Sequence, residues 1–288
     1  MKGLKGVTWA RLALILLVVI CLVPALVTAG CGLSETQKHY NAGVELHERG
    51  KFQEALAEYT QAIELDPTHA KAYGNRGVIF ARQGDQDKAL ADFNRAIELS
   101  PKLASTYTNR GNLYLQKGEL QNALDDLNQA IDLDSEDAKV YTIRGALYAG
   151  VGEFDKALAD LGRAVELDPS FAEAYVTRGM IYGERDDFDE ALADYGRAIE
   201  LNPSYATAYF QRGGVYGRMG NLSEASLDFT RAIALNPSFV EAYLMRGVMY
   251  AEQGKEAKAI EDLQRVVELE PGSDMADLAK EILAELTR

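Results

Sequence analysis

From about residue 35 the chain alternates between two kinds of amphipathic stripe, and the alternation has a period of 34 residues. The stretch Ala172–Tyr205 shows one period. Tyr175, Gly179 and Tyr182 fall at helical spacing on one face, and Ala191, Leu192, Tyr195, Ala198 and Ile199 line a second helix. Between them lie a tight turn and a Pro-marked exit, so each period predicts a helix, a turn, a second helix and a stop. With Thr36 as position 1, the units begin at Thr36, Ala70, Ala104, Ala138, Ala172, Ala206 and Val240 and end at Ser273 without insertion. A repeat of this length implies stacked supersecondary units, each covering its neighbour's apolar face.

Scarce residues fix the register. Gly holds position 8 in all seven units (Gly43, Gly77, Gly111, Gly145, Gly179, Gly213, Gly247), and Tyr holds position 4 in six. Pro stands at position 32 in six units (Pro67, Pro101, Pro169, Pro203, Pro237, Pro271), with Ser135 in the third. Small residues at positions 8 and 20 let two helices approach closely. Gly at position 15, as in Gly84, Gly118 and Gly152, is expected to end the first helix in a left-handed conformation, and Asp186 replaces it in the fifth unit. Pro at position 32 stops the second helix. Ser170 with Glu173, and Ser238 with Glu241, have capping-box spacing for the helix that follows.

Positions 7 and 23 carry a further regularity. Arg76, Arg110, Arg144, Arg178, Arg212 and Arg246 recur in step with Asp92, Asp126, Asp160, Asp194, Asp228 and Asp262. The first unit has Ala42 and Glu58 instead. Joint change of an Arg and an acid predicts an ion pair, within a unit or across neighbours, and the bidentate guanidinium suits a partly buried one. The alternative is an Arg ladder that reads acidic ligands.

Over residues 36–273 this pattern resembles the tetratricopeptide repeat: small residues at positions 8, 20 and 27, aromatics at 4, 11 and 24, and Pro at 32. The departure is Arg at position 7, commonly Leu in that family. The resemblance implies an all-α, right-handed α-solenoid of seven tandem helix-turn-helix repeats. Its concave groove would be lined by the first helix of each pair and would hold a peptide or partner helix. Residues 274–288 read as a capping helix, with Leu278, Ile282 and Leu286 as an apolar stripe, Met275 and Leu283 beside it, and Asp277, Lys280, Glu281 and Glu285 on the polar side.

Residues 1–30 differ in kind. Lys2, Lys5 and Arg11 precede the apolar run Leu12–Val27, which leads to Thr28, Ala29, Gly30 and Cys31. A positive start, a short apolar run and small residues make an export signal. The ending resembles the bacterial lipobox, with Thr28 where Leu is usual, and implies lipidation of Cys31 with residues 31–35 as a short linker. Ordinary cleavage after Ala29 and an uncleaved anchor are the alternatives. All three place the repeats outside the cytoplasm, at the cell envelope or beyond it. The run is shorter than the roughly 20 residues of a spanning helix.

Composition narrows the partners. The formal net charge of −14 argues against nucleic acid as a partner. Neither cysteine, Cys21 or Cys31, lies in the repeats, which excludes a disulfide framework there. His39, His47 and His69 lack the companions of a metal site, and Asp186, Asp187, Asp189 and Glu190 lack the spacing of a Ca²⁺ loop. No phosphate loop or nucleophile motif occurs, so neither a cofactor nor an enzymatic activity is expected, and the repeats are read as a scaffold for protein partners. The groove positions implied by the resemblance nominate Lys71, Asn75, Asn109, Asn112, Lys139, Phe210 and Gln211. Asn109 and Lys139 fit part of the family's carboxylate clamp, but Gly74, Val78 and Ile143 occupy its other places. Amide side chains can bond a peptide backbone in either sense.

Overall fold

A computed structural model describes residues 33–287. The export signal, its apolar run and Cys31 lie outside the described residues. By internal contact the chain divides at Pro101 into two units, each all-helical among the described residues.

The first unit holds α1 (Glu35–Glu48), α2 (Phe52–Leu65), α3 (Ala70–Arg82) and α4 (Gln86–Leu99). The second holds α5 (Ala104–Gln116), α6 (Leu120–Leu133), α7 (Ala138–Gly150), α8 (Phe154–Leu167), α9 (Ala172–Glu184), α10 (Phe188–Leu201), α11 (Ala206–Arg218), α12 (Leu222–Leu235), α13 (Val240–Glu252), α14 (Glu256–Leu269) and α15 (Asp274–Leu286). Within each unit, the two helices of a repeat pack most closely on each other, and the second helix packs next on the first helix of the following repeat, the order expected of an all-α repeat solenoid.

Close helix approach rests on the glycine at position 8. A Cβ on Gly43 would come within 2.6 Å of the Tyr59 ring, and one on Gly179 within 2.9 Å of the Tyr195 ring. Both rings are fully buried or nearly so. The second helix therefore lays its position 24 side chain across bare backbone. Each core is shared with the next repeat: Val176, Ala191, Tyr195 and Ala198 pack with Ala208 and Val215 of α11.

The turns follow the sequence at position 15 and depart from it at the next helix start. Gly84 has φ +80°, and Asp186, in the equivalent place, is the one described non-Gly residue at positive φ, at 64°. Ser170 and Ser238 do not form capping boxes. Their hydroxyls donate to Asp168 Oδ1 (2.6 Å) and Asn236 Oδ1 (2.8 Å), closing a turn around the intervening Pro. The helices then start at Ala172 and Val240, after Phe171 and Phe239 as N-caps without a side-chain cap bond. The Asx side chain before the proline captures the Ser hydroxyl before it can reach the helix.

The terminal helix is rotated from the stripe read in the sequence. Ala276 and Ala279 are its buried residues, with Met275, Ile282, Leu283 and Leu286 partly buried against Leu263 and Val266, while Leu278 is 47% exposed. The two alanines let the helix settle closely, and this turns Leu278 outward.

Candidate partner-binding face

Helix pairing leaves two different surfaces, and position 7 belongs to the side facing the second helices. In every repeat that carries it, Arg meets the Asp of its own repeat, with Nε and Nη2 donating to the two carboxylate oxygens at 2.7–2.9 Å. The carboxylates are buried; Asp228 is 2% exposed. Rings at positions 4 and 11 sandwich the guanidinium in five of these repeats, as Tyr73 (5.5 Å) and Phe80 (5.7 Å) do for Arg76, and Arg178 has the position 4 ring of Tyr175 at 5.6 Å. Hydrogen bonding to Asp194 holds the Arg178 guanidinium above its ordinary pKa against the opposing cost of burial. These arginines are occupied by the fold: the fork that would read an acidic ligand already holds Asp.

The remaining Nη1 reaches back one repeat where position 25 offers an acceptor. Arg76 donates to Thr60 (3.3 Å), Arg144 to Asn128 (2.7 Å) and Arg246 to Thr230 (3.0 Å). For Arg178 and Arg212 that register position is Gly162 and Gly196. The first repeat builds a substitute with the base moved to position 4 and the acid kept at position 23: His39 Nδ1 lies 2.7 Å from Glu58 Oε2. His39 stands where the other six repeats have Tyr, and its pairing with the altered acid was visible in the sequence only as two changes in one repeat.

On the first helices, positions 2, 6, 9 and 13 form the stripe that meets solvent. In the first unit Lys71 is exposed, while Asn75 is half-buried and its amide donates to the Tyr59 (3.3 Å) and Tyr40 (3.4 Å) hydroxyls. Burial pushes the Tyr59 hydroxyl up to about 12. In the second unit Asn112 and Lys139 are exposed and Asn109 is half-buried. Phe210 is committed to packing, its ring 4.7 Å from Phe239 and 5.6 Å from Phe229.

Gln211 belongs to a cavity of about 240 Å³ between α9, α11 and α13. Met180 and Met245 stand on its wall, Gly183 and Gly214 leave it open, and Glu184 and Arg218 lie at its edge. Tyr195, 2% exposed, also lines it. Burial, then the charges of Asp194 and Glu184, raises the Tyr195 pKa, so the hydroxyl stays neutral and able to donate. Met180, Tyr195 and the two glycines were not nominated from sequence. The available signal was the coincidence of Gly at positions 12 and 9 in successive repeats, which strips side chains from one spot. Among the described residues no cluster of His, Cys, Asp and Glu could hold a metal ion, and no helix is long and apolar enough to cross a membrane.

Known proteins carry the same unit. A tetratricopeptide-repeat model matches residues 40–104 and 210–274, a TPR-repeat model matches 111–152 and 179–220, and another tetratricopeptide-repeat model matches 138–171. Together these matches span most of the helical chain, which belongs to the tetratricopeptide-repeat family. No curated protein matches the sequence. Among solved structures the chain is similar to one in the APC/C hetero-tetramer Cut9–Hcn1, with TM-score 0.77 and 15% identity over 85% of this chain and 48% of that one. It thus spans about half that chain's length. A tetratricopeptide repeat protein from Parabacteroides merdae aligns with TM-score 0.63 and 21% identity over 88% of this chain and 99% of that one. PilW, described as a type IV pilus biogenesis factor, aligns with TM-score 0.67 and 17% identity over 73% and 98%. At these identities the likeness establishes the fold.

Proposed function

We propose that this protein is a scaffold that holds a protein or peptide partner on the solvent-facing stripe of its first helices. The observation that carries this reading is that Lys71 in the first unit, and Asn112 and Lys139 in the second, are exposed on first helices and their side chains make no hydrogen bond or ion pair within the described chain. The position 7 arginines, by contrast, are committed to their Asp partners. Uncommitted amide and ammonium groups along the first helices suit recognition of an external chain. A photo-crosslinking residue at Asn112 should trap a partner in cells, whereas one at Arg163, on a second helix, should not. Equal trapping from both would remove the claim that this stripe is the binding side.

The proposal extends to location. The residues preceding Glu35 read as an export signal with Cys31 as a lipid attachment point, which would hold the repeats outside the cytoplasm at a membrane, within envelope assembly or secretion. A Cys31→Ser variant should lose fatty-acid labelling and membrane retention; unchanged labelling would overturn the anchor. A recruiter of a cell-wall or polysaccharide enzyme would use the same side, and the trapped partner's identity separates the two roles.

A further inference from the structure

Tyr195 is nearly inaccessible, yet its hydroxyl makes no hydrogen bond and faces open space at the cavity between α9, α11 and α13. A Cβ on Gly183, itself on the cavity wall, would sit 3.9 Å from that oxygen. The equivalent hydroxyl in the first repeat, Tyr59, accepts from Asn75 one repeat on. At the corresponding place beside Tyr195 stands Gln211, which lines the cavity and makes no such bond. Two polar groups are therefore left at the bottom of a recess walled by Met180 and Met245. Its volume of about 240 Å³ is below the range of ordinary small-molecule pockets, roughly 300–1,000 Å³, and suits a single large side chain.

The surroundings are acidic in a specific arrangement. Glu173 and Glu184 mark positions 2 and 13 of α9, and Glu241 and Glu252 mark the same positions of α13. All four are exposed and none forms an ion pair. Arg218, the nearby cation, is held by the Gly183 carbonyl at 2.6 Å and by Asp186. Along α13, Glu241 and Glu252 lie about 6 and 10 Å of helix rise to either side of Met245, while on α9 Glu184 stands at the recess itself and Glu173 lies about 10 Å before Met180. An extended chain covers those distances in two to three residues.

We propose that this recess is the anchor site for a basic peptide segment that inserts one aromatic side chain, with Lys or Arg two to three residues away on each side. The thioethers of Met180 and Met245 suit a ring edge, and Tyr195 and Gln211 satisfy the polar tip of a Tyr or Trp. The four glutamates attract the flanking cations. This rests on the reading of the first-helix stripe as the binding side and gives it a partner class.

The test uses the full chain and an immobilised array of twelve-residue peptides, in which a central Tyr, Trp, Leu or Ala is flanked by Lys, Ser or Glu at the stated spacing. Tyr and Trp with Lys flanks should bind best, and binding should weaken as salt is raised. Gly214→Leu fills the recess from a position where an added Cβ meets nothing within 4 Å; it should weaken binding at least about tenfold, the loss expected when an anchor side chain is excluded. Tyr195→Phe keeps the ring, which Phe93 and Phe229 show to fit position 24, and should weaken the Tyr peptide about three- to tenfold but leave the Leu peptide unchanged. Circular dichroism and urea midpoints verify folding. Absence of binding, preference for Glu flanks, or indifference to Gly214→Leu overturns the proposal. If Asn109→Ala and Asn112→Ala abolish array binding while Gly214→Leu does not, the recess is refuted and the binding stripe stands. If the array behaves as expected but crosslinking from Asn112 traps nothing, the recess stands and the wider stripe does not.

Discussion

Consider Asp228→Ala. Asp228 has the most buried of the six position 23 carboxylates, and it accepts from Arg212 Nε at 2.7 Å and Nη2 at 2.9 Å. Removing it leaves Arg212, whose side chain is 17% exposed, with the rings of Tyr209 (5.7 Å) and Tyr216 (6.0 Å) and no carboxylate in its fork. Breaking a buried pair from one side costs about 3–5 kcal/mol. Partial access to water and the two rings place this case near the lower end, about 3 kcal/mol, or roughly a hundredfold in the unfolding equilibrium. The double variant Arg212→Leu, Asp228→Ala removes both charges and should recover most of that loss, because an apolar pair of similar volume is often neutral. Urea unfolding followed by circular dichroism should show the single variant shifted by about 1 M or more and the double variant close to the parent. Additive losses, or a single-variant cost below about 1 kcal/mol, would refute the view that desolvation governs this pair. As a control, Glu268→Ala removes the solvent-exposed partner of Arg265 and should leave the urea midpoint nearly unchanged.

Other perturbations separate space from conformation. Gly162→Ala, mid-helix in α8 with nothing within 4 Å of the new Cβ, should raise stability by about 0.5–1 kcal/mol in urea titrations. Gly118→Ala meets equally open space but sits at φ +75°, so it should cost about 1–2 kcal/mol in the same titration. Gly43→Ala drives a Cβ to 2.6 Å from the buried Tyr59 ring; overpacking of about 1–3 kcal/mol should exceed its propensity gain of about 1 kcal/mol, giving a lowered urea midpoint for the first unit. Burial holds Tyr59 at about 12 against about 10 unfolded. Stability is therefore intact below pH 10 and falls by up to about 3 kcal/mol as pH rises from 10 to 12, since the unfolded chain releases its proton first. Absorbance-monitored alkaline unfolding should show that fall, diminished in Tyr59→Phe.

The repeat was legible because its marks are local. Gly84 and Asp186 take positive φ for reasons written in one residue, and position 8 glycine needs only the large side chain sixteen residues on. The spacing of Arg and Asp was likewise readable, but not which repeat supplied the partner, since an arginine reaches either neighbour. Ser170 and Ser238 misled because two short-range partners compete for one hydroxyl, and the Asx residue before Pro wins. Leu278 misled because periodicity marks a stripe without saying which edge of it two alanines will draw inward. The recess was hidden most deeply. It is made by three first helices and by a ring from the second, so its walls are far apart in sequence, and its defining residues include Gly183 and Gly214, which act by absence.

The bond from Arg Nη1 back to position 25 bears on how such an array can grow. A duplicated 34-residue segment carries the arginine at its front and the acceptor near its back, half a bond at each edge. Copying one segment in tandem therefore rebuilds a complete joint only if that segment holds both halves. The segments beginning at Ala172 and Ala206 differ in this respect: the first carries Gly196 at position 25, and the second carries Thr230, which receives Arg246. Tandem copies of the second would inherit a latched joint, and copies of the first an unlatched one. A recombination event thus sets the stiffness of a new junction at the moment it creates the repeat.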